Sequence, residues 1–421
     1  MSILHDYVNA IRIIDGHEHL ATPQIREREN HDLFSLLHYL DSDFYSAGMK
    51  AGALGRQSLL DVEQKSALFM DYWQKTKNTT YARMFRTAME DLYGLNEWNV
   101  KGLLEANEKV VQATHNPNWY DYVMTEKSGI DLAFTLIQTT NLAYERFRPI
   151  MFMDFTFKLR TLKDIATVQR MSGVTVHSLR HYLDAVDTLL HRYVQEGMVA
   201  TKLGHAYWRS LYSGKPTVHE AELVFNRLLS STLEESLSQA ELLALQDYLI
   251  HFIIQRSTAY GLPIQIHTGH HEVSVSSNGN TISNSNVELL IPLLLEYSDA
   301  KFVLLHSGYP YYLPYLSIAK NFPNVYADMT WVYIISPTAA KQIMHQCIEM
   351  VPMTKIQGFG GDYNYIEGTY AHQKLARKLV ADVLVEKVAD GALDESEAMV
   401  YADHIFRKNL IDIYQLQDME E

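Results

Sequence analysis

Short apolar runs separated by longer helical patterns recur along this chain, and that alternation limits the fold more than any other feature. The runs are Arg12–Gly16, Ile130–Gln138, Pro149–Asp154, Met198–Gly204, Pro263–Thr268, Lys301–His306, Asn324–Asp328 and Lys355–Asp362. Several, such as KFVLLH at Lys301–His306, are apolar almost throughout, as expected of parallel strands buried on both faces. Between them lie helical patterns. A capping box at Ser238–Glu241 opens one that carries Leu242, Leu245, Leu249, Phe252 and Ile253 at helical spacing, and Gly261 and Pro263 stop it. Others cover Val287–Leu295, Pro337–Met350 and His372–Leu384. Eight strands alternating with helices predict an α/β chain folded as a (β/α)8 TIM barrel, with a doubly wound sheet as the second choice.

Residues 21–128 break the rhythm, since an ordinary βα loop is far shorter. The segment reads as mostly helical, with LFSLLHYL at Leu33–Leu40 and TYARMFRTAMEDLYG at Thr80–Gly94. Loops that follow strands lie on the catalytic face of a barrel, so this insertion is expected to roof the active site of one domain spanning residues 1–421. No internal repeat and no Pro/Gly-rich linker argues for a second domain.

Charge and cysteine content narrow the surroundings. The 421 residues carry 36 basic against 50 acidic side chains, a formal charge of −14. A field of that sign repels polyphosphate, which predicts no nucleic-acid partner and no anionic membrane surface. Cys347 is the only cysteine, so no intrachain disulfide forms and a reducing compartment is the simpler expectation. The N-terminus lacks the apolar core of a signal peptide, and no apolar run reaches the ~18 residues of a membrane span. The sequence therefore predicts a cytoplasmic protein with a small-molecule substrate, and is compatible with a homo-oligomer.

The chemistry-bearing residues fall where strands end. Ile13-Ile14-Asp15-Gly16-His17-Glu18-His19 sets two imidazoles two residues apart, on one face of an extended strand, while Glu18 points away from them. His267 ends IQIH, His306 ends VLLH, and Asp362 ends the glycine-rich run GFGGD. Strand ends on the carboxyl face of a barrel converge, and closure sets the last strand beside the first. His17, His19, His267 and Asp362 are therefore the expected ligands of a divalent metal. Three neutral imidazoles and one carboxylate suit Zn²⁺ with an open position for water, while Mn²⁺, Fe²⁺, Co²⁺ and Ni²⁺ also accept this donor set. Searches for a Gly-x-x-x-x-Gly-Lys-Ser/Thr loop and a Gly-x-Ser-x-Gly elbow find neither, which leaves P-loop and serine-hydrolase chemistry without support.

In order, HEH, the strand-end Lys202, IHTG, LLHSGYP, VYAD and GGD resemble the amidohydrolase superfamily, in particular its amidohydrolase-related (nodulin-type) branch. The resemblance covers residues 11–20 and most of 197–420. It implies metal ligation by His17, His19, His267 and Asp362. His306 would ligate a second metal in a binuclear member, or polarise the substrate in a mononuclear one. Lys202 corresponds to a lysine that some members carboxylate to bridge two ions; one ion is the first expectation here, with Lys202 a cation that binds substrate or pairs with a carboxylate. Arg209 is a candidate clamp for a substrate carboxylate, with a structural ion pair as its other reading. His270 and Tyr309 are candidate substrate contacts, with loop solvation and packing as theirs. Asp328 is read as support for a ligand or as a cap.

The function that follows is a metal-dependent hydrolase acting, through a metal-activated water, on a small substrate that can carry a carboxylate. Asp362 would move the proton and His306 would polarise the electrophile. Uronate-isomerase-like or nonoxidative decarboxylase activity on the same site is the first rival. A non-catalytic barrel scaffold is the second.

Overall fold

The computed structural model describes residues 3–136, 142, 144–232, 236–272 and 281–419. All eight expected strands form: β1 (Ile13–Glu18), β2 (Ile130–Thr135), β3 (Phe147–Phe152), β4 (Ala200–Leu203), β5 (Ile264–His267), β6 (Phe302–Leu305), β7 (Val325–Asp328) and β8 (Ile356–Gln357). They follow one another in chain order, so the fold is a (β/α)8 barrel; a doubly wound sheet needs a strand order that reverses. Two boundaries differ from the sequence reading. β1 runs on through His17 and Glu18, and β8 is only two residues long, the glycine-rich remainder leaving the ladder. Ile137 and Gln138, the end of the second expected run, lie outside the described residues.

The chain sorts into two compact groups. One gathers Met1–Thr135, Leu142–Phe147 and Met329–Leu410; the other contains Arg148–Asp328 and Ile411–Glu421. In the second group β3 to β7 pair in parallel, with Ile150 against Ala200, Thr201 against Ile264, Ile266 against Leu304 and Leu304 against Ala327. The helix Gln239–Ala259 begins at the Ser238–Glu241 capping box, as its sequence requires.

In the first group β1 pairs with β2 in parallel, with register shifts either side of Ile14 and Asp15. The segment between them is helical over Val62–Thr76, Thr80–Tyr93 and Val100–Thr114. Asp61, Thr79 and Asn99 cap these helices, and Gly94 at φ 66° ends the second. Their apolar faces meet through Phe69, Trp73, Phe85, Met89, Leu103 and Val110, all buried. Leu33–Leu40 is not one helix. A 3₁₀ turn at Leu33–Leu36 and a helix at Tyr39–Ser46 are separated at His38, whose φ of 44° cannot continue a right-handed helix. Among the described residues no helix is long and apolar enough to cross a membrane.

Arg377, buried on the helix Ile366–Ala389, ties this group together. Its guanidinium donates to the carbonyls of Val8, Ile11 and Ser128 and to Gln373 Oε1. Burial lowers its pKa to about 10, with Arg12 adding repulsion, so it stays charged at neutral pH. Arg377→Met keeps the volume and strands three carbonyls. We expect a loss of about 3 kcal/mol or more in unfolding free energy, read from urea denaturation; an unchanged midpoint would contradict this role.

Candidate metal centre

The first and last strands meet through their backbones. Gly16 N donates to Phe359 O (3.1 Å), Asp362 N to His17 O (3.0 Å) and His19 N to Tyr363 O (3.1 Å). Two glycines just past the last strand leave room for neighbouring side chains. A Cβ on Gly361 would stand 1.8 Å from Glu18 Oε1, and one on Gly360 would stand 2.0 Å from Thr330 Oγ1. Asp362 itself is left-handed, at φ 59°, a conformation that costs a non-glycine residue roughly 1–3 kcal/mol and is held here by its neighbours.

Three side chains converge at this seam. One ligand atom each from His17, His19 and Asp362 lie within 4.8 Å of one another. Asp362 Oδ1 stands 3.3 Å from His17 Nε2 and 3.1 Å from His19 Nε2. His17 is fully buried and His19 one-third exposed. Donors around a tetrahedral ion at about 2.0–2.1 Å stand about 3.3 Å apart, so the spacing and the N, N, O chemistry both fit a small divalent cation.

Buried acids and a histidine brace the seam. Asp15 Oδ1 accepts from His17 N (3.1 Å) and Gly361 N (3.2 Å). Glu18 Oε2 accepts from Tyr363 N (2.7 Å) and Oε1 from the Thr369 hydroxyl (2.6 Å), so Glu18 does point away from the imidazoles. Burial, then the nearby Asp15 charge, pushes the Glu18 carboxyl well above the usual range. His372 Nδ1 lies 3.0 Å from Gly361 O. A carbonyl only accepts, so that nitrogen carries the proton. Burial lowers the ring's pKa to about 4, which keeps it neutral.

The insertion supplies a residue that sequence reasoning did not single out. Tyr39 OH lies 2.6 Å from Asp362 O and 2.9 Å from Oδ2, sharing its proton between them. Its ring is stacked against Tyr81 on one contact and Trp331 on another, each with centroids 5.1 Å apart. Asp362 therefore turns Oδ1 to the histidines and Oδ2 to the phenol. Asp15 and Glu18 carried a usable signal, being acidic residues inside an otherwise apolar strand; Tyr39 carried none.

The other expected site residues lie in the second group. His267 is not a member of the three-residue cluster. Its Nδ1 is 2.9 Å from Tyr207 OH and its Nε2 2.9 Å from His270 O. The His306 ring is 4.4 Å from the His267 ring, and its backbone N donates to Asp328 Oδ1 (3.3 Å). Lys202 is fully buried on β4. Asp154 accepts from Gly204 N and Trp208 Nε1, both at 2.7 Å, and burial raises its carboxyl to about 6 against those bonds and the pull of Lys158 and Lys202. Arg209 pairs with Asp247 at 2.6 Å and is buried, which gives it the structural partner that was its other reading. His270 approaches Glu272 at 3.5 Å, its side chain one-third exposed, and Tyr309 is half-buried with its carbonyl on His270 N.

Comparison with known proteins bears on both groups. Residues 219–398 match the family model described as Amidohydrolase. The protein fluG of Emericella nidulans is 30% identical over 157 residues; the match covers 37% of this chain and only 18% of fluG. Among solved structures, a glucuronate isomerase from Caulobacter crescentus superposes with a TM-score of 0.81 at 18% identity, over 98% of this chain and 93% of the other. A protein from Lactobacillus casei described as a metal-dependent hydrolase superposes with a TM-score of 0.71 at 16% identity, over 100% of both chains. At such identities the likeness is one of fold.

Tyr39→Phe removes the phenol proton from Asp362 and keeps the stacked ring. We expect divalent-metal affinity to fall about 10- to 100-fold, measured by competition with a chromophoric chelator. Unchanged affinity would mean that the phenol does not hold the carboxylate.

Proposed function

We propose that this chain, a member of the amidohydrolase superfamily, is a metal-dependent hydrolase of a small molecule, with a metal centre built on His17, His19 and Asp362. The convergence of those three donors at the β1–β8 seam carries the reading. Zinc is the first choice of ion, since two imidazoles and a carboxylate suit it. His267 is proposed as the fourth ligand; in that role it would exchange one of its present hydrogen bonds, to Tyr207 or His270, for the ion.

A divalent ion in such a pocket supplies Lewis acidity, polarising an electrophile and making water acidic near neutral pH. The chain's own residues do the rest. Asp362 is fixed through its backbone N, its carbonyl and both carboxylate oxygens, so it presents one oxygen in one place. That preorganisation suits a group that takes a proton from water and returns it to a leaving group, and we assign the transfer to Oδ2, with Tyr39 as its partner. His306 is proposed to polarise the electrophile, and buried Lys202 to orient an anionic group or, if carboxylated, to help hold a second ion. His270 and Tyr309 remain proposed substrate contacts. Arg209 is a weaker choice, because Asp247 already neutralises it.

A second reading, isomerisation of a sugar acid on the same centre, draws support from the whole-chain likeness of fold to the Caulobacter crescentus isomerase. A soluble, cytoplasmic setting is proposed on the strength of the charge and the cysteine content.

Asp362→Asn tests the reading. The variant should fold and bind divalent metal at least about 100-fold more weakly than the wild-type chain, which should carry one ion. Turnover should be lost with it, across a panel of amides, lactones, aromatic acids and uronates. Near-wild-type metal content and turnover in the variant would overturn the assignment. Activity of the wild-type chain on uronates alone would replace hydrolysis with isomerisation.

A further inference from the structure

A cavity of about 200 Å³ opens beside His19. Ala21, Arg26, Glu29 and His31 line it from the segment after β1, and Asn364 and Tyr365 from the residues just past Asp362. His19 belongs both to its wall and to the candidate centre, so a molecule held at the centre has this cavity beside it.

The chemistry of that wall is distinctive: it is polar, yet every charge in it is already matched. Arg26, buried, forms a bidentate pair with Glu367 at 2.8 and 2.6 Å. Glu367 also accepts from Tyr93 OH (2.5 Å) and Trp119 Nε1 (2.9 Å). Burial would raise this carboxyl, but Arg26 and the hydrogen bonds outweigh burial and hold it at about 2, so the pair stays ionised and neutral overall. Glu29, partly exposed, has its own cationic neighbour, 3.0 Å away at Arg56, and lies 3.2 Å from His31. Burial, then Arg26 and Arg56, lowers His31 to about 4, leaving a neutral imidazole. What remains is a set of hydrogen-bonding groups of both senses. Arg26, Glu29, His31, Asn364 and Tyr365 all line the cavity, so its wall carries side chains that donate and side chains that accept.

Such a wall discriminates between substrate tails. A carboxylate would find no unmatched cation to replace its hydration, and an alkyl chain would bury polar groups against nothing. Hydroxyls both donate and accept, and suit it. We infer that the cavity beside His19 is a subsite for an uncharged, hydroxylated portion of the substrate, a polyol chain or sugar ring. The inference rests on the reading of His17, His19 and Asp362 as a metal centre.

Hydroxamates test the two separately, because their head binds metal and their tail can be varied. Isothermal titration of the zinc-loaded protein would compare acetohydroxamate, hexanohydroxamate, D-gluconohydroxamate and the monohydroxamate of D-glucarate. The neutral polyhydroxylated tail should bind about ten-fold tighter than acetohydroxamate, as one or two net hydrogen bonds would give. The alkyl and carboxylate tails should gain nothing. Ala21→Leu, which fills the cavity, and the milder Asn364→Leu should each abolish the gain while zinc content and acetohydroxamate affinity hold. If acetohydroxamate binds but the hydroxylated tail confers no advantage, or the advantage survives both substitutions, the subsite is wrong and the centre stands. If no hydroxamate binds, centre and subsite fall together.

Discussion

The hydrogen bond from Asp362 N to His17 O fixes the relation on which the candidate site depends. With Gly16–Phe359 and His19–Tyr363 on either side, it sets the end of the chain's last strand against the end of its first, over 300 residues apart in sequence. Everything chemical at the seam is a consequence of that registry. A change in that registry would move the carboxylate relative to both imidazoles, which share one face of the extended first strand. A methyl group at Gly361 would strike the Glu18 carboxylate and one at Gly360 the Thr330 side chain, so either would displace a side chain packed against this turn.

Around the seam lies a shell of buried polar groups that answer one another. Asp15, Glu18 and His372 each bond the backbone of residues 361–363, and Tyr39 bonds the carbonyl and carboxylate of Asp362. Buried polar groups are costly unless satisfied, so a shell of this kind has few alternative arrangements and holds a left-handed aspartate that would otherwise relax. The helical insertion takes part directly, because Tyr39 belongs to it. The insertion and the candidate ligand are therefore one mechanical unit. The Arg26–Glu367 pair extends the same logic outward, keeping ionised groups beside the cavity while leaving it without net charge.

Much of this was legible in the sequence, and the reasons are physical. Parallel strands buried on both faces announce themselves as apolar runs, so all eight were located to within a few residues. Barrel closure then sets Asp362 beside His17 and His19 without knowledge of any contact. The sequence was silent where side chains from distant elements meet. Tyr39 sits in a run whose apolar pattern suggested one helix, and nothing in LFSLLHYL announces that His38 breaks it at φ 44°. The partners of Arg209 and Arg26 were equally hidden, since Asp247 and Glu367 are ordinary acidic residues on helices until the fold brings them close. His267 shows the same limit from the other side: its place at a strand end was legible, its bonds to Tyr207 and His270 were not.

The central claim is that His17, His19 and Asp362 hold a divalent cation. An anomalous difference map, recorded at the metal's absorption edge from crystals grown with zinc, tests it most directly. The account predicts one strong peak at about 2.0–2.2 Å from His17 Nε2, His19 Nε2 and Asp362 Oδ1. A map with no peak at the β1–β8 seam, or with zinc bound only elsewhere, would contradict it.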